Sequence, residues 1–427
     1  MKKKVLLIAY YWPPSGGPGV QRWLKMTHYM AEMGCEITVL TIEPEYASYP
    51  HFDEKLAEEV HSSIEVIRTK AFNPYRVFGT SQSKRGPAAN FSVPKSGRWK
   101  FRLLSAIRSH LFIPDPRRGW NPWAAAAAVR ICKEREIETV ITSSPPHSSQ
   151  LIGLYLKRKV DLRWIVDFRD PWTQIYYYKD LGHSAISRWL DKRYEALVVR
   201  NADHIIHVGK SMVSMLSEYY PAAKDKSSVV HNGYDERDFS QLNAEAMQRS
   251  GGFEIGYTGT LSSLYNFAPV FEAIDACADE FDFVNCRFTG KIPSEIRSEL
   301  KQACSVIEFS PELPHAEITR VQAQADLLVL IIPDVPNANY ILTGKVFEYL
   351  RSGNPIVCLG PKTGDAAALI DSCKAGRTFE RSEVPEMVDY IRKCIHDKMA
   401  GKAFRSNLTQ VQQYSRGVLA KKVYDLL

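Results

Sequence analysis

The sequence predicts an α/β protein made of two doubly wound parallel sheets. Three observations carry this. Short apolar runs with little polar alternation recur along the chain, and strands that read this way are buried on both faces, as parallel strands are. Helical stretches separate several of them, which supplies the long crossovers that parallel pairing needs. A polar stretch over residues 232–252 splits the alternation in two, and 427 residues with 45% hydrophobic content can fill two cores.

The first run, residues 5–9, leads into a loop rich in Pro and Gly (10–19) and then a helix over 20–33. Such a loop lets backbone N–H groups approach a ligand, although its prolines depart from a dinucleotide fingerprint. Further strands are expected at 36–41, 64–68, 139–142, 164–167, 204–208 and 228–231. A second series falls at 253–257, 283–288, 306–309, 326–331 and 355–359. The chain closes with Val418, Leu419, Val423, Leu426 and Leu427 at helical spacing, an amphipathic helix in need of a surface to cover. The expected division is 1–240, 241–412, and 413–427 for that helix.

Between 69 and 121 the pattern lapses. From Lys84 to Arg118, nine basic residues (Lys84, Arg85, Lys95, Arg98, Lys100, Arg102, Arg108, Arg117, Arg118) face one acid, Asp115, with Phe91, Trp99, Phe101 and Phe112 interleaved. This fits an interfacial membrane or lipid-acceptor segment, or a solvated loop; no nucleic-acid module accompanies it. The net charge of +7 favours anionic ligands or an anionic surface. Eight cysteines without a Cys-x-x-Cys pair read as reduced thiols of a cytoplasmic protein. The apolar start ends in Pro13-Pro14 with no small-residue cleavage site, so a first strand explains it better than a signal peptide. No apolar run reaches the ~20 residues that span a bilayer. Without an Asp-x-Asp motif or a His/Cys cluster at ligand spacing, no metal is expected.

The stretch 343–356, Thr-Gly-Lys-Val-Phe-Glu-Tyr-Leu-Arg-Ser-Gly-Asn-Pro-Ile, reads as a helix feeding a buried strand. Lys345 and Glu348 stand three apart at its start, where backbone N–H groups and the dipole favour an anion. Lys345 can offer a point charge to a diphosphate and Glu348 can accept two hydroxyl donors. An ordinary Lys/Glu pair on a solvated face fits the same spacing.

In the first half, His147 and the Asp167-Phe168-Arg169-Asp170-Pro171-Trp172 run both follow expected strands, where crevices of open α/β sheets lie. An imidazole there can hydrogen-bond a ligand hydroxyl. Asp170 can accept from a hydroxyl or orient His147, and Arg169 can face a ligand or a phosphate. An internal Asp–Arg pair that fixes the loop is the other reading. In the second half, Gly259 and Thr260 end a strand in a small-residue turn suited to phosphates. Lys291 follows the next strand, and Asp365 looks like an N-cap.

The 343–356 segment and the strand after it resemble the donor-binding helix of retaining glycosyltransferases of the GT-B fold, glycosyltransferase family 4. The resemblance implies two Rossmann-like domains facing a central cleft, with the last helix crossing back to the first domain. It implies that Lys345 lies near the donor diphosphate, that Glu348 binds ribose or sugar hydroxyls, and that Thr343 and Gly344 belong to the same cradle. Gly16 and Gly17 would approach the diphosphate and sugar. Gly259, Thr260 and Lys291 would flank the phosphates, while Leu313 and Pro314 would hold the base. His147, Asp170 and Gly17 would stand at the reaction centre, Arg169 and Trp172 toward the acceptor. Two departures are visible: residues 334–340 lack the earlier Glu of the family's glutamate pair, and 261–266 (Leu-Ser-Ser-Leu-Tyr-Asn) lack its basic residue and Lys-Gly pair.

By resemblance the activity is metal-independent transfer of a sugar, with retention, from a nucleotide-diphosphate donor to a glycan or lipid-linked acceptor. Surface polysaccharide or lipopolysaccharide synthesis at the inner face of the cytoplasmic membrane is the implied setting, with no cofactor. An inverting transferase, a nucleotide-sugar epimerase and a catalytically silent nucleotide-sugar-binding assembly protein remain open alternatives.

Overall fold

The structure, a computed structural model, describes residues 2–72, 112–240, 242, 251–404 and 406–427. Most of the basic segment, residues 84–111, therefore lies outside the described residues; Phe112, Asp115, Arg117 and Arg118 lie within them. The chain forms two compact units, residues 1–231 with 419–427, and residues 232–418. The division falls ahead of the expected residue 240, at the start of the polar stretch.

The first unit runs β1 (Lys4–Ile8), α1 (Pro18–Glu32), β2 (Glu36–Ile42), β3 (Glu65–Thr69), α2 (Asn121–Arg135), β4 (Thr139–Ser144), α3 (Ser148–Leu156), β5 (Arg163–Phe168), α4 (Ala185–Asn201), β6 (His204–His207), α5 (Lys210–Tyr219) and β7 (Ser227–Val229). Its seven strands lie in the order β3-β2-β1-β4-β5-β6-β7, all parallel. Val5, Leu7, Trp23, Leu24, Ile141 and Ile165 share one core with Leu419, Ala420 and Val423, so the amphipathic end of the chain covers part of this sheet.

The second unit runs α6 (Glu236–Ser240), β8 (Phe253–Thr258), α7 (Ala268–Glu280), β9 (Val284–Thr289), α8 (Ser294–Ala303), β10 (Ile307–Ser310), α9 (His315–Gln324), β11 (Leu327–Ile331), α10 (Lys345–Ser352), β12 (Ile356–Leu359), α11 (Asp365–Ser372), β13 (Gly376–Phe379), α12 (Val384–Met399) and α13 (Leu408–Gln412), and α14 (Arg416–Leu426) leads out of it. The strand order is β10-β9-β8-β11-β12-β13, again all parallel. β11 shows why its sequence has no polar alternation. Leu327, Val329 and Ile331 enter the core on one face while Leu328, Leu330 and Ile332 enter the core on the other.

In each sheet the strand order reverses once, between β1 and β4 and between β8 and β11. Open α/β sheets form their ligand crevice beyond the carboxyl ends of strands at that reversal. The loop after β1, His147 after β4, Gly259 after β8 and the segment from β11 to α10 all leave those ends.

Candidate functional site

In the second unit, α10 starts at Lys345 with Gly344 as its N-cap. It stops at Gly353, whose φ of 78° is the left-handed conformation in which a helix readily ends. The Lys345 ammonium turns toward the end of β8. Its Nζ donates to the Tyr257 hydroxyl at 3.0 Å and lies 4.2 Å from the centre of the Tyr257 ring. A side chain at Gly259 would stand 2.7 Å from Nζ, and its φ of 122° also favours glycine, so this turn leaves the lysine its place. Burial lowers the Lys345 pKa to about 8, with the Glu348 charge opposing.

Lys345 and Glu348 do not pair with each other. Glu348 takes the His315 Nε2 at 3.0 Å and the Gln322 amide at 2.9 Å. Burial works to raise the Glu348 pKa, yet the hydrogen bond and charge of His315, with Gln322, outweigh it and hold the carboxyl below its usual range. Burial likewise opposes the charge on His315, but Glu348 and the Asp238 carboxylate, 3.8 Å away, raise its pKa. Gln322 also donates to the Thr258 hydroxyl (3.1 Å), which meets Tyr349 at 3.1 Å, so the carboxylate is braced to the end of β8. This leaves a cation with no carboxylate partner among the described residues beside a carboxylate fixed as an anion. The pair can take a phosphate and a diol respectively.

The remaining residues expected here divide. The Thr343 hydroxyl is buried with no partner among the described residues. Thr260 is exposed, and its carbonyl accepts the Tyr257 hydroxyl at 3.2 Å. Leu313 is half-buried and Pro314 exposed, just ahead of His315. Lys291 is engaged elsewhere: it lies exposed and paired with Glu312 at 2.7 Å, which leaves Lys345 as the cation at the end of β8. Asp365 is the first residue of α11 and Gly364 is the cap. Sequence reading missed Tyr257, His315 and Gln322. His315 and Gln322 stand seven apart on α9, a same-face spacing that offered a signal; Tyr257, inside an apolar strand, offered none.

In the first unit, Gly16 donates its N–H to the His51 carbonyl (3.0 Å) and packs so closely on the His51 ring that a Cβ would meet it at 2.4 Å. Gly17, with φ of 103°, caps α1 and has nothing within 4 Å of where a Cβ would lie. Of the two glycines, Gly17 is the open one. The internal ion pair expected in the Asp167–Asp170 run is between Asp167 and Arg22 of α1 at 2.9 Å; Asp167 also accepts from Trp23 (2.7 Å) and Ser143 (2.9 Å). Arg169 instead donates to the Ser144 and Pro145 carbonyls, both at 3.0 Å, joining the loops after β4 and β5. Its guanidinium is therefore spent on backbone rather than aimed wholly at an acceptor. Burial raises the Asp170 pKa, with Arg169 opposing.

The His147 ring stacks on Trp172, 5.0 Å between centres and 9° from parallel. Burial, aided by the Arg169 charge, lowers the His147 pKa to about 3 against a contact with the Pro171 backbone, so the imidazole is neutral at physiological pH. Among the described residues no hydrogen bond joins it to Asp170. Trp172, expected toward the acceptor, is buried and donates to Asp191 at 2.8 Å; it backs His147 instead. Asp191 also takes the Tyr178 hydroxyl (2.7 Å). Glu195, one turn on, takes the Thr173 hydroxyl (2.7 Å), Gln174 (3.1 Å) and Tyr220 (3.1 Å). The loop after β5 thus hangs from two buried carboxylates of α4, an i, i+4 pair that sequence reading passed over.

Two Rossmann-like parallel sheets, with the end of the chain packed on the first, define a GT-B glycosyltransferase fold. The chain belongs to Glycosyltransferase Family 4, whose family model matches residues 19–238, more than half of it. Similar solved structures include a glycosyltransferase from Rickettsia africae (12% identity, 100% of this chain and 97% of that one, TM-score 0.64). Anabaena HepE in complex with UDP-glucose is another (14%, 99% and 98%, TM-score 0.60), as is WaaG, a glycosyltransferase involved in lipopolysaccharide biosynthesis (12%, 99% and 99%, TM-score 0.58). No curated protein matches the chain.

Proposed function

We propose that this glycosyltransferase uses a nucleoside-diphosphate sugar, with the donor held on residues 232–418 and a glycan or lipid-linked acceptor engaged by residues of the first unit. The observation that carries it is the pair at the start of α10: Lys345, a cation with no carboxylate partner among the described residues, next to a braced carboxylate, Glu348. As the anomeric bond breaks, the leaving diphosphate gains charge that Lys345 and the N–H groups of the α10 N-terminus stabilise more in the transition state than in the ground state. Glu348 accepts from the ribose hydroxyls. His147, neutral and held flat by Trp172, is assigned to hydrogen-bond a hydroxyl of the acceptor.

Membership of the family supports transfer with retention, and no step in this account needs a metal ion. HepE with UDP-glucose supports a uridine diphosphate sugar as the first donor to try. WaaG supports a role in surface polysaccharide or lipopolysaccharide synthesis, and we place that role at the cytoplasmic face of a membrane.

A thermal-shift screen against nucleoside-diphosphate sugars and free nucleotides tests the donor reading. At a hundred times the dissociation constant, binding stabilises by about 2.7 kcal/mol. One sugar nucleotide should raise the midpoint, and both Lys345→Ala and Glu348→Ala should abolish the rise. No rise with any donor near millimolar concentration, or an undiminished rise in both variants, would refute it. Turnover of the bound donor with a crude acceptor mixture separates a transferase from a silent binder.

A further inference from the structure

The solvent face of α4 is built unlike a usual helix surface. Ile186 and Trp189, three residues apart and so on one face, are 77% and 61% exposed; Trp189 is the most exposed tryptophan among the described residues. On the same side Lys192, Arg193 and, further along the helix, Arg200 are exposed, and the Arg193 guanidinium lies 5.5 Å from the Trp189 ring. The helix has only two acids, Asp191 and Glu195, and both are buried on the opposite side, holding Trp172, Tyr178, Thr173 and Gln174. The exposed face of α4 is therefore apolar at its centre, basic at its margins and free of carboxylate.

We propose that this face of α4 docks on an anionic lipid bilayer. A tryptophan and an isoleucine standing out of a basic surface suit the headgroup boundary, where the indole ring is apolar on its faces and wet at its N–H, while the flanking cations meet lipid phosphates. Charge chooses the occupant: the exposed side chains of α4 up to Arg200 are apolar or basic with no acid among them, which matches anionic headgroups, whereas a second copy would bring the same positive charge to the contact. The inference gives a surface to the membrane location proposed above, and it rests on no part of the donor chemistry.

The test is co-sedimentation of the full chain with vesicles of phosphatidylcholine alone and with about a third phosphatidylglycerol added. The variants are Trp189→Ser and, separately, Lys192→Glu with Arg193→Glu. The protein should bind only the anionic vesicles and leave them at about 0.5 M salt. Each variant should bind roughly tenfold more weakly, with unchanged thermal midpoint and unchanged response to the sugar nucleotide. No binding by the native protein, equal binding to neutral vesicles, or undiminished binding by both variants would overturn the proposal. So would sedimentation velocity showing a native dimer that Trp189→Ser converts to monomer, because a second copy would then cover the face. A lost donor response with intact vesicle binding would instead count against the donor site alone.

Discussion

Lys345 is a cation held in a place that costs it charge. Burial brings its pKa to about 8, against about 10.4 for a free lysine, and the Tyr257 ring and hydroxyl are its near neighbours. A diphosphate beside it would restore the preference for the ammonium, so donor binding should take up a proton when the solution is near pH 8. The sign follows: affinity for the sugar nucleotide is full below pH 7 and falls as pH rises through about 8, approaching tenfold weaker per unit above that point. Titration calorimetry from pH 6.5 to 9.5 in buffers of different ionisation enthalpy reads both the slope and the proton. In Lys345→Met the weak affinity that remains at high donor concentration should be flat over this range, and a slope that survives in this variant would show another group to be responsible. Asp191 is the opposite case, a carboxyl that burial raises to about 7 despite the Tyr178 and Trp172 hydrogen bonds. Its folded pKa exceeds its unfolded one, so its contribution is present below about pH 4 and is lost as pH rises through 7. Asp191→Asn keeps an acceptor for Trp172 and a partner for Tyr178 while removing the buried charge. Urea melts should find the variant more stable than the native protein at pH 8, by roughly 2 kcal/mol, and the difference should shrink at pH 5. Equal stabilities at pH 8 would refute the assignment.

At the scale of elements, the sheets were legible and their margins were not. β11 and β12 are read directly because every residue is buried, so the apolar run is the strand. β13 went unread because Gly376-Arg377-Thr378-Phe379 has neither a run nor an alternation; it is an edge strand whose residues become a strand only by pairing with β12. The start of α10 was legible from Gly-Lys-x-x-Glu, and so was the nearness of Lys345 and Glu348 on its first turn. That the two residues avoid each other was not. Their partners come from β8 and α9, dozens of residues away, and an i, i+3 spacing says nothing of what a distant chain brings to the same spot. The same limit explains Trp172. An aromatic ring at the end of a charged loop reads as a contact for ligand, and only Asp191, from the next helix, turns it inward to support His147. The resemblance was read from residues 343–356, whereas the family match lies over residues 19–238, so the two halves point to one family by separate routes.

At the scale of the molecule, the chain has separately packed cores, and residues 419–427 belong to the first although they follow the second in sequence. Val423 and Leu419 are fully buried against β-strand and α1 side chains of the first unit. Val423→Ala removes two methyl groups from that core and should cost about 2 kcal/mol. For a unit of this size such a loss lowers the midpoint by roughly 4–8 °C. Under the proposed donor site a sugar nucleotide would bind the other unit, where Lys345 and Glu348 lie, and should stabilise that one by mass action. Calorimetry should therefore resolve two transitions that respond separately: Val423→Ala lowers one and leaves the other, while the donor raises the other and leaves the first. Lys345→Ala should cancel the donor's effect without touching the transition that Val423→Ala moves. A single transition shifted by both the core variant and the sugar nucleotide would mean that the two units unfold as one.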